Sequence, residues 1–326
     1  MRIISLEEHI SFPELVAKIP EEKKAKRKGL QPPMMEQVAR DLEDISDQRL
    51  KSMDDSGISL QILSVVGPGA DLLPPDEAPP FARQNNDLIA ERIAAHPGRF
   101  AAFAHLPMTD PAAAAAELER SVKTHGFKGA LINGLTGGQF LDNPVYAPLL
   151  QKAQDLQTPI YLHPGLPPQA VADAYYSNLP KQAGVTLGVA GWGWHSETAL
   201  HVLRLIFSGT FDKYPQLKLI IGHMGEMLPM MMARIDTIFK VDAIGVNRRT
   251  ASQTLKDQVY ITTSGIFTQP PLQIAADTFG TDNILFSVDY PFSKNSQGRE
   301  FLDSLALPKE QVEKIAHGNA ERLLKV

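Results

Sequence analysis

Short apolar runs, each closing on polar residues, recur along the whole chain. Eight of them stand at residues 2–6, 59–66, 100–106, 129–133, 159–163, 217–223, 259–264 and 284–289. Each has the length of a strand buried on both faces, where a continuous aliphatic run replaces the alternation of a half-exposed strand. Between most of them the spacing becomes helical, at 44–56, 81–96, 111–125, 143–155, 196–207, 227–238 and 270–278, with 308–315 and 319–325 closing the chain. Asp110, directly before the Ala-rich stretch that begins at Pro111, is expected to be an N-cap. Eight strands alternating with helices predict an α/β protein with a (β/α)8 TIM barrel, here as one domain over 1–326. The rival doubly wound sheet would carry a glycine-rich phosphate loop after an early strand, and none follows.

Two stretches fall outside the barrel pattern. One is 10–37, with the run EEKKAKRKG at 21–29; the other is 165–191, rich in Pro, Gly and Tyr. The charged run has the make-up of a solvated loop or helix face, although it would also suit an acidic partner. These insertions, after strands one and five, both follow strands that carry His, which marks them as candidate lids over a site.

A barrel of this kind does its chemistry at the C-terminal mouth, on the last strand residues and the loops beyond them. Strand one runs into Glu7, Glu8 and His9; strand four ends in Asn133, strand five in His163, strand six in His223, strand seven near Ser264 and strand eight in Asp289. Three of nine histidines thus fall on strand ends, a clustering that scattered surface histidines would not produce. Residues two apart on a strand share a side, so Glu7 and His9 point together and Glu8 points away, as a structural group expected to pair with a basic neighbour. If Glu7 and His9 face the axis they meet His163 and Asp289. Two imidazoles and two carboxylates suit one divalent cation, zinc or manganese, with magnesium also compatible. Each residue also has a plainer reading taken alone. A His at a strand end can be a hydrogen-bonded loop residue, Asp289 before Tyr290-Pro291 suits a turn, and Asn133 before Gly134 suits another.

Composition narrows the classes. The chain has 326 residues, 43% apolar and 21% charged, with a net charge of −5. The acidic balance argues against nucleic acid as a partner. With no cysteine, disulfides, thiolate metal sites and a Cys nucleophile are excluded. No apolar leader and no run long enough to span a bilayer is seen, so no membrane association and a cytoplasmic location are expected.

The motifs E-x-H on strand one, HP after strand five, GHMGE after strand six and the Asp of SVDYPF resemble the amidohydrolase superfamily. With GALING, WHSETALHVLRLIFSGTFDKYP, GHMGEMLPMMMARID and HGNAERLL, the chain is similar over nearly its whole length to the ortho-hydroxybenzoate decarboxylases of that superfamily, the gamma-resorcylate (2,6-dihydroxybenzoate) and 2,3-dihydroxybenzoate types. The resemblance implies Glu7, His9, His163 and Asp289 as metal ligands, and His223 with Glu226 as a pair beside the substrate. It implies Asn133 and Arg234 in or around the pocket, and Phe292 packed on the substrate ring. Hydrolases of the superfamily usually carry H-x-H on strand one and a bridging Lys on strand four. Glu7 and Asn133 stand there instead, which argues for one metal rather than two.

The implied reaction is metal-dependent loss of CO2 from a small aromatic acid, with Asp289 protonating the ring and His223, polarised by Glu226, assisting. The implied assembly is a homodimer or homotetramer. Plainer readings stay open: Glu226 as a charge at the start of the helix 227–238, and Arg234 as an ion-pair partner of Asp236. Trp192 and Trp194 suit either an aromatic wall or packing under the rim; Met227, Met230, Met231 and Met232 suit core packing. The rival activity is hydrolysis of an amide or lactone by the same site, with Asp289 as base. A barrel used only for binding is disfavoured because all four candidate ligands are present.

Overall fold

The computed structural model describes residues 1–22, 24, 36–67, 69–241 and 247–326. Residues 23 and 25–35, which take in most of the charged run at 21–29 and part of the first insertion, lie outside the described residues, so the middle of that candidate lid has no structural account. Among the described residues nine parallel strands run in the order β1 Ile4–Ile10, β2 Leu60–Val65, β3 Phe100–Ala102, β4 Ala104–His105, β5 Ala130–Asn133, β6 Ile160–His163, β7 Leu219–Ile221, β8 Val259–Thr262 and β9 Ile284–Leu285. All eight predicted strands are present; the third is interrupted at Phe103 into β3 and β4. The chain crosses that break by hydrogen bonds from Phe103 N to Leu63 O and from Ala104 N to Gly129 O, both 2.9 Å. At the other seam His9 N donates to Tyr290 O at 2.7 Å, and Glu8 pairs with Tyr290 as a parallel bridge. The ring of strands is therefore continuous, as the alternating pattern predicts.

The strand interiors divide by parity. Ile4, Leu6, Leu60, Ile62, Phe103, Leu131, Tyr161, Ile220 and Leu285 form one buried cluster that fills the barrel, with Ala320 and Leu324 of the last helix, Asn319–Leu324, packed against it. The opposite side chains meet the helices in a larger core. The N-cap prediction is met: Asp110 accepts from Ala112 N and Ala113 N at 3.1 and 3.0 Å, ahead of the helix Pro111–His125.

The first strand departs from expectation. It extends to Ile10, so its acidic and His positions lie inside the strand rather than past its end. Its register on β2 slips between Ser5 and Glu8, because Ser5 faces Gln61 while Glu8 faces Leu63. Three steps on β1 match two on β2, which is a bulge. Strict alternation from Ile4 and Leu6 would put Glu8 inside; the extra residue sends Glu7 and His9 inward instead.

The second insertion forms two short helices, Gln169–Tyr175 and Lys181–Gly188, ahead of the helix Gly193–Phe207. A side chain at Gly193 would place a Cβ 2.1 Å from Gly188 O, so a glycine is required where the insertion meets that helix. The methionine expectation holds only in part: Met232 is buried, whereas Met230 and Met231 are exposed on the helix Leu228–Ile238. Among the described residues no helix is long and apolar enough to cross a membrane.

Candidate metal centre

Glu7 is fully buried, and its two carboxylate oxygens have different surroundings. Oε2 is held by hydroxyls: Tyr161 donates a short hydrogen bond, Ser264 donates at 2.5 Å, and Thr262 lies at 3.4 Å. Among the described residues Oε1 has no hydrogen-bond partner, and neither has Nε2 of the buried His9. These two orphaned atoms face the same point. His163 Nε2 lies 3.2 Å from Glu7 Oε1, His9 Nε2 lies 4.0 Å from it, and Asp289 Oδ1 lies 3.3 Å from His9 Nε2. Donor atoms that share one ion at about 2.1 Å stand about 3 to 4 Å from one another. His163 Nδ1 lies 2.8 Å from Pro164 O, and an N–H donated there turns the Nε2 lone pair toward Glu7 Oε1. Acceptor then faces acceptor across the site, an arrangement that a cation between them relieves. Glu7, His9 and His163 thus offer donors that fit one divalent ion, with Asp289 beside His9 at the edge of the group. Glu7, His9 and His163 come together as a ligand group by geometry alone.

The backbone beyond β7 brings up the next pair. Gly222 sits where a Cβ would come within 2.8 Å of Glu7 Oε2, so only glycine lets this strand end approach the carboxylate. The chain then turns through a left-handed run, with φ of 49° at His223, 55° at Met224, 52° at Glu226 and 63° at Met227. Such a run in non-glycine residues is strained and tends to occur where a site demands it. The turn folds Glu226 back beneath His223, with Glu226 Oε1 2.8 Å from His223 Nδ1. His223 Nε2 then points inward, 3.8 Å from Glu7 Oε1 and 4.0 Å from Asp289 Oδ2.

The electrostatics follow from burial and these neighbours. Burial alone would raise Glu7, but His223, His163 and His9 outweigh it and hold the carboxylate ionised below the usual range. Burial pushes His9 down to about 4, a neutral imidazole with a lone pair to offer. Burial, and then the Glu7 charge, raise Asp289 to about 7. For His223 burial acts downward, while Glu226 and Glu7 overcome it and carry the group up to about 10. Glu226 is lowered, burial being outweighed by His223 and His195.

Glu8 is a structural group, but its contacts differ from the expected ion pair. It accepts from Val288 N and Tyr290 N at 3.0 and 3.1 Å and from the Ser5 hydroxyl, stitching β1 to the strand-eight segment. Burial lifts it to about 8 against those hydrogen bonds. The basic neighbour is Arg49, fully buried, whose Nη2 donates to His9 O at 2.7 Å and whose guanidinium stacks 4.6 Å over the Tyr290 ring. One arginine therefore braces the backbone on both sides of the cluster.

The remaining predicted residues fall out as follows. Phe292 is 48% exposed, with its ring 5.7 Å from that of His9, an apolar edge available beside the cluster. Asn133 closes β5 opposite His163 and is half-buried. Trp194 lies 6.4 Å from the His163 ring, whereas Trp192 is exposed. Arg234 is exposed on the helix Leu228–Ile238, and among the described residues no hydrogen bond or ion pair joins it to the cluster. Nor does it pair with Asp236, which instead accepts from Ser252 N at 3.2 Å; positions two apart on a helix do not face each other. The sequence reading missed His195, which contacts Glu226, and the hydroxyls of Tyr161, Thr262 and Ser264. The only signal for Tyr161 was its parity, two before His163 on one strand.

A parallel barrel whose mouth gathers His and carboxylate donors defines a metal-dependent enzyme of the amidohydrolase type. Residues 24–326 match the amidohydrolase family model, and the chain belongs to that family. It is 43% identical over 297 residues to "Decarboxylase orsB" of Emericella nidulans, a match covering 89% of this chain and 88% of that protein. Its fold matches a 2,6-dihydroxybenzoate decarboxylase solved in complex with 2,6-dihydroxybenzoate, at a TM-score of 0.89 and 36% identity over 100% of both chains. It also matches a dihydroxybenzoic acid decarboxylase of Polaromonas sp. JS666, solved with bound manganese and the inhibitor 2-nitroresorcinol, at a TM-score of 0.86 and 36% identity over 99% of this chain and 96% of that one.

Proposed function

We propose that this single-domain barrel, residues 1–326, is a metal-dependent, non-oxidative decarboxylase of an ortho-hydroxybenzoate such as 2,6- or 2,3-dihydroxybenzoate or salicylate. The observation that carries the reading is the convergence of Glu7 Oε1, His9 Nε2 and His163 Nε2 on one point, with Asp289 Oδ1 3.3 Å from His9 Nε2, in a chain similar to dihydroxybenzoate decarboxylases. Manganese is the favoured ion because a related decarboxylase holds it; zinc and magnesium suit the same donors. When bound, the ion supplies a Lewis acid that fixes the phenolic and carboxylate oxygens of the substrate.

Direct loss of CO2 from the ring would leave an aryl carbanion, so the ring carbon is protonated first. Asp289 is the donor in this reading, supported by its position between His9 and His223. Its proton passes to the carbon that bears the carboxylate. The carbon–carbon bond then breaks, its electron pair restores the aromatic ring, and CO2 leaves. Asp289 regains a proton from the phenol group of the next substrate, and the phenolate product takes one from solvent, so one proton is consumed per CO2. His223, held by Glu226, faces the departing carboxylate. Phe292 packs on the ring and Asn133 lines the rim.

Hydrolysis of an amide or lactone is the lesser reading, since an anionic Glu7 makes the metal a poorer activator of water than a neutral imidazole would. The same reading takes the protein as a cytoplasmic homodimer or homotetramer. Exposed Tyr175, Leu179, Leu187 and Trp192 around the second insertion supply apolar surface for self-association. The test is to incubate manganese-loaded protein with the three acids and with a lactone, following CO2 and absorbance. CO2 release from at least one acid is expected; lactone hydrolysis with no acid consumed would reverse the assignment.

A further inference from the structure

His195 belongs to GWGWHSE, a motif that no role above has absorbed. It stands in the first turn of the helix Gly193–Phe207, directly after the second insertion. Its Nδ1 lies 2.6 Å from Glu226 Oε2, while His223 Nδ1 lies 2.8 Å from Glu226 Oε1. Each oxygen of the fully buried Glu226 is thus taken by one imidazole. The two rings meet edge to face with centroids 4.8 Å apart. The second nitrogen of His195, Nε2, lies 3.0 Å from Ala190 O, in the segment that ends the insertion. Both ring nitrogens therefore face acceptor oxygens.

We propose that His195 is a positioning residue for the decarboxylation, acting through Glu226 to hold His223. The physical reason is freedom of the carboxylate. Gripped at one oxygen only, Glu226 can rotate and present either oxygen, or neither, to His223 Nδ1. Gripped at both, it has one orientation, and His223 keeps its Nδ1–H donated outward and its Nε2 turned into the site. The same ring ties this clamp to the backbone of the insertion through Ala190, so the segment over the mouth and the orientation of His223 are set together. No hydrogen bond, ion pair or ring contact joins His195 to Glu7, His9, His163 or Asp289 among the described residues, so it acts on His223 and not on the proposed metal ligands.

This inference rests on the decarboxylase reading for its kinetic arm, and a spectroscopic arm stands without it. In the manganese-loaded enzyme, His195→Phe is expected to lower kcat about 10-fold or more with KM and bound metal unchanged, as for a group that acts only in the transition state. The double variant with Glu226→Gln is expected to be no more than about 2-fold slower than Glu226→Gln alone, because both changes remove one unit. Multiplying effects would overturn the proposal, as would loss of bound metal on substitution of His195. In the second arm, zinc-loaded protein with 15N-labelled histidine reports the Nδ1–H of His223 by long-range 1H–15N correlation. Wild type should show a protected, downfield Nδ1 proton that broadens or is lost in His195→Phe; an unchanged His223 signal would refute the clamp. Should His195→Phe fail to fold, His195→Leu, which likewise offers no donor to Glu226 Oε2, takes its place in both arms. If wild type releases no CO2 from any of the three acids, the functional reading falls, and the spectrum still decides the role of His195.

Discussion

Glu7 divides its carboxylate between two tasks, and the division explains much of the site. Tyr161, Ser264 and Thr262 fix Oε2, which leaves Oε1 aimed at His163 and His9. Gly222 makes that arrangement possible by coming close to Oε2 without a side chain. Gly222→Ala should therefore displace Glu7 and cost the protein its metal; elemental analysis after dialysis should show at least a ~10-fold drop in affinity, in line with the effect of disturbing groups that orient ligands. Full retention of metal would show that Oε2 has room to move. Asp289 sits at the other side of the cluster. Asp289→Asn removes the transferable proton while keeping the shape, and turnover should fall by roughly 10²–10⁴-fold, the span of a lost general acid. The circular dichroism spectrum should be unchanged, and near-wild-type turnover would remove Asp289 from the role of donor.

Secondary-structure elements carry these side chains through features that the sequence shows unevenly. The strands were legible because each is an aliphatic run closed by polar residues, and the shared parity of Glu7 and His9 followed from pleating alone. The bulge in β1 was not legible: it depends on how β1 pairs with β2, a contact between residues more than fifty positions apart. The left-handed turn at His223–Met227 was hidden for a related reason, since only one of its five residues is a glycine and the usual sequence mark of positive φ is missing. The helix that carries Arg234 begins at Leu228, after this turn, so counting helical turns from His223 does not fix where Arg234 points.

The seam between β1 and the strand-eight segment is braced by Arg49, which donates to His9 O and Asp41 O at 2.7 and 3.0 Å and from Nε to Asp44 O at 2.7 Å. Removing it in Arg49→Met leaves buried carbonyls unpaired and Glu8 without its nearest cation. A loss of at least about 3 kcal/mol is expected in urea unfolding. Metal affinity should fall with it, because His9 and Tyr290 lose a common brace. A stability within about 0.5 kcal/mol of wild type would show the brace to be redundant.

Across the whole molecule, the closed ring of strands brings donors from positions 7 to 289 to one mouth, and the outer helices lock that ring from outside. His201 illustrates the second part. It is buried, accepts from Leu141 N at 2.8 Å through Nε2, and is pushed by burial from 6.5 down to about 4. The unfolded chain protonates this group first, so the stability it confers is complete above pH 6.5 and is lost as the pH falls toward 4. The span corresponds to about 3 kcal/mol. Urea titrations between pH 7 and 4 should show this decline, and His201→Gln should make it shallower; identical pH dependence in the two proteins would mean that His201 titrates freely in the fold.

The central claim is one divalent ion between Glu7, His9, His163 and Asp289, and anomalous diffraction from a manganese-grown crystal tests it most directly. A single peak within about 2.0 to 2.4 Å of Glu7 Oε1, His9 Nε2, His163 Nε2 and an Asp289 oxygen is the predicted result. No peak at that point in crystals grown with saturating manganese, or a peak held by other residues, would contradict the account.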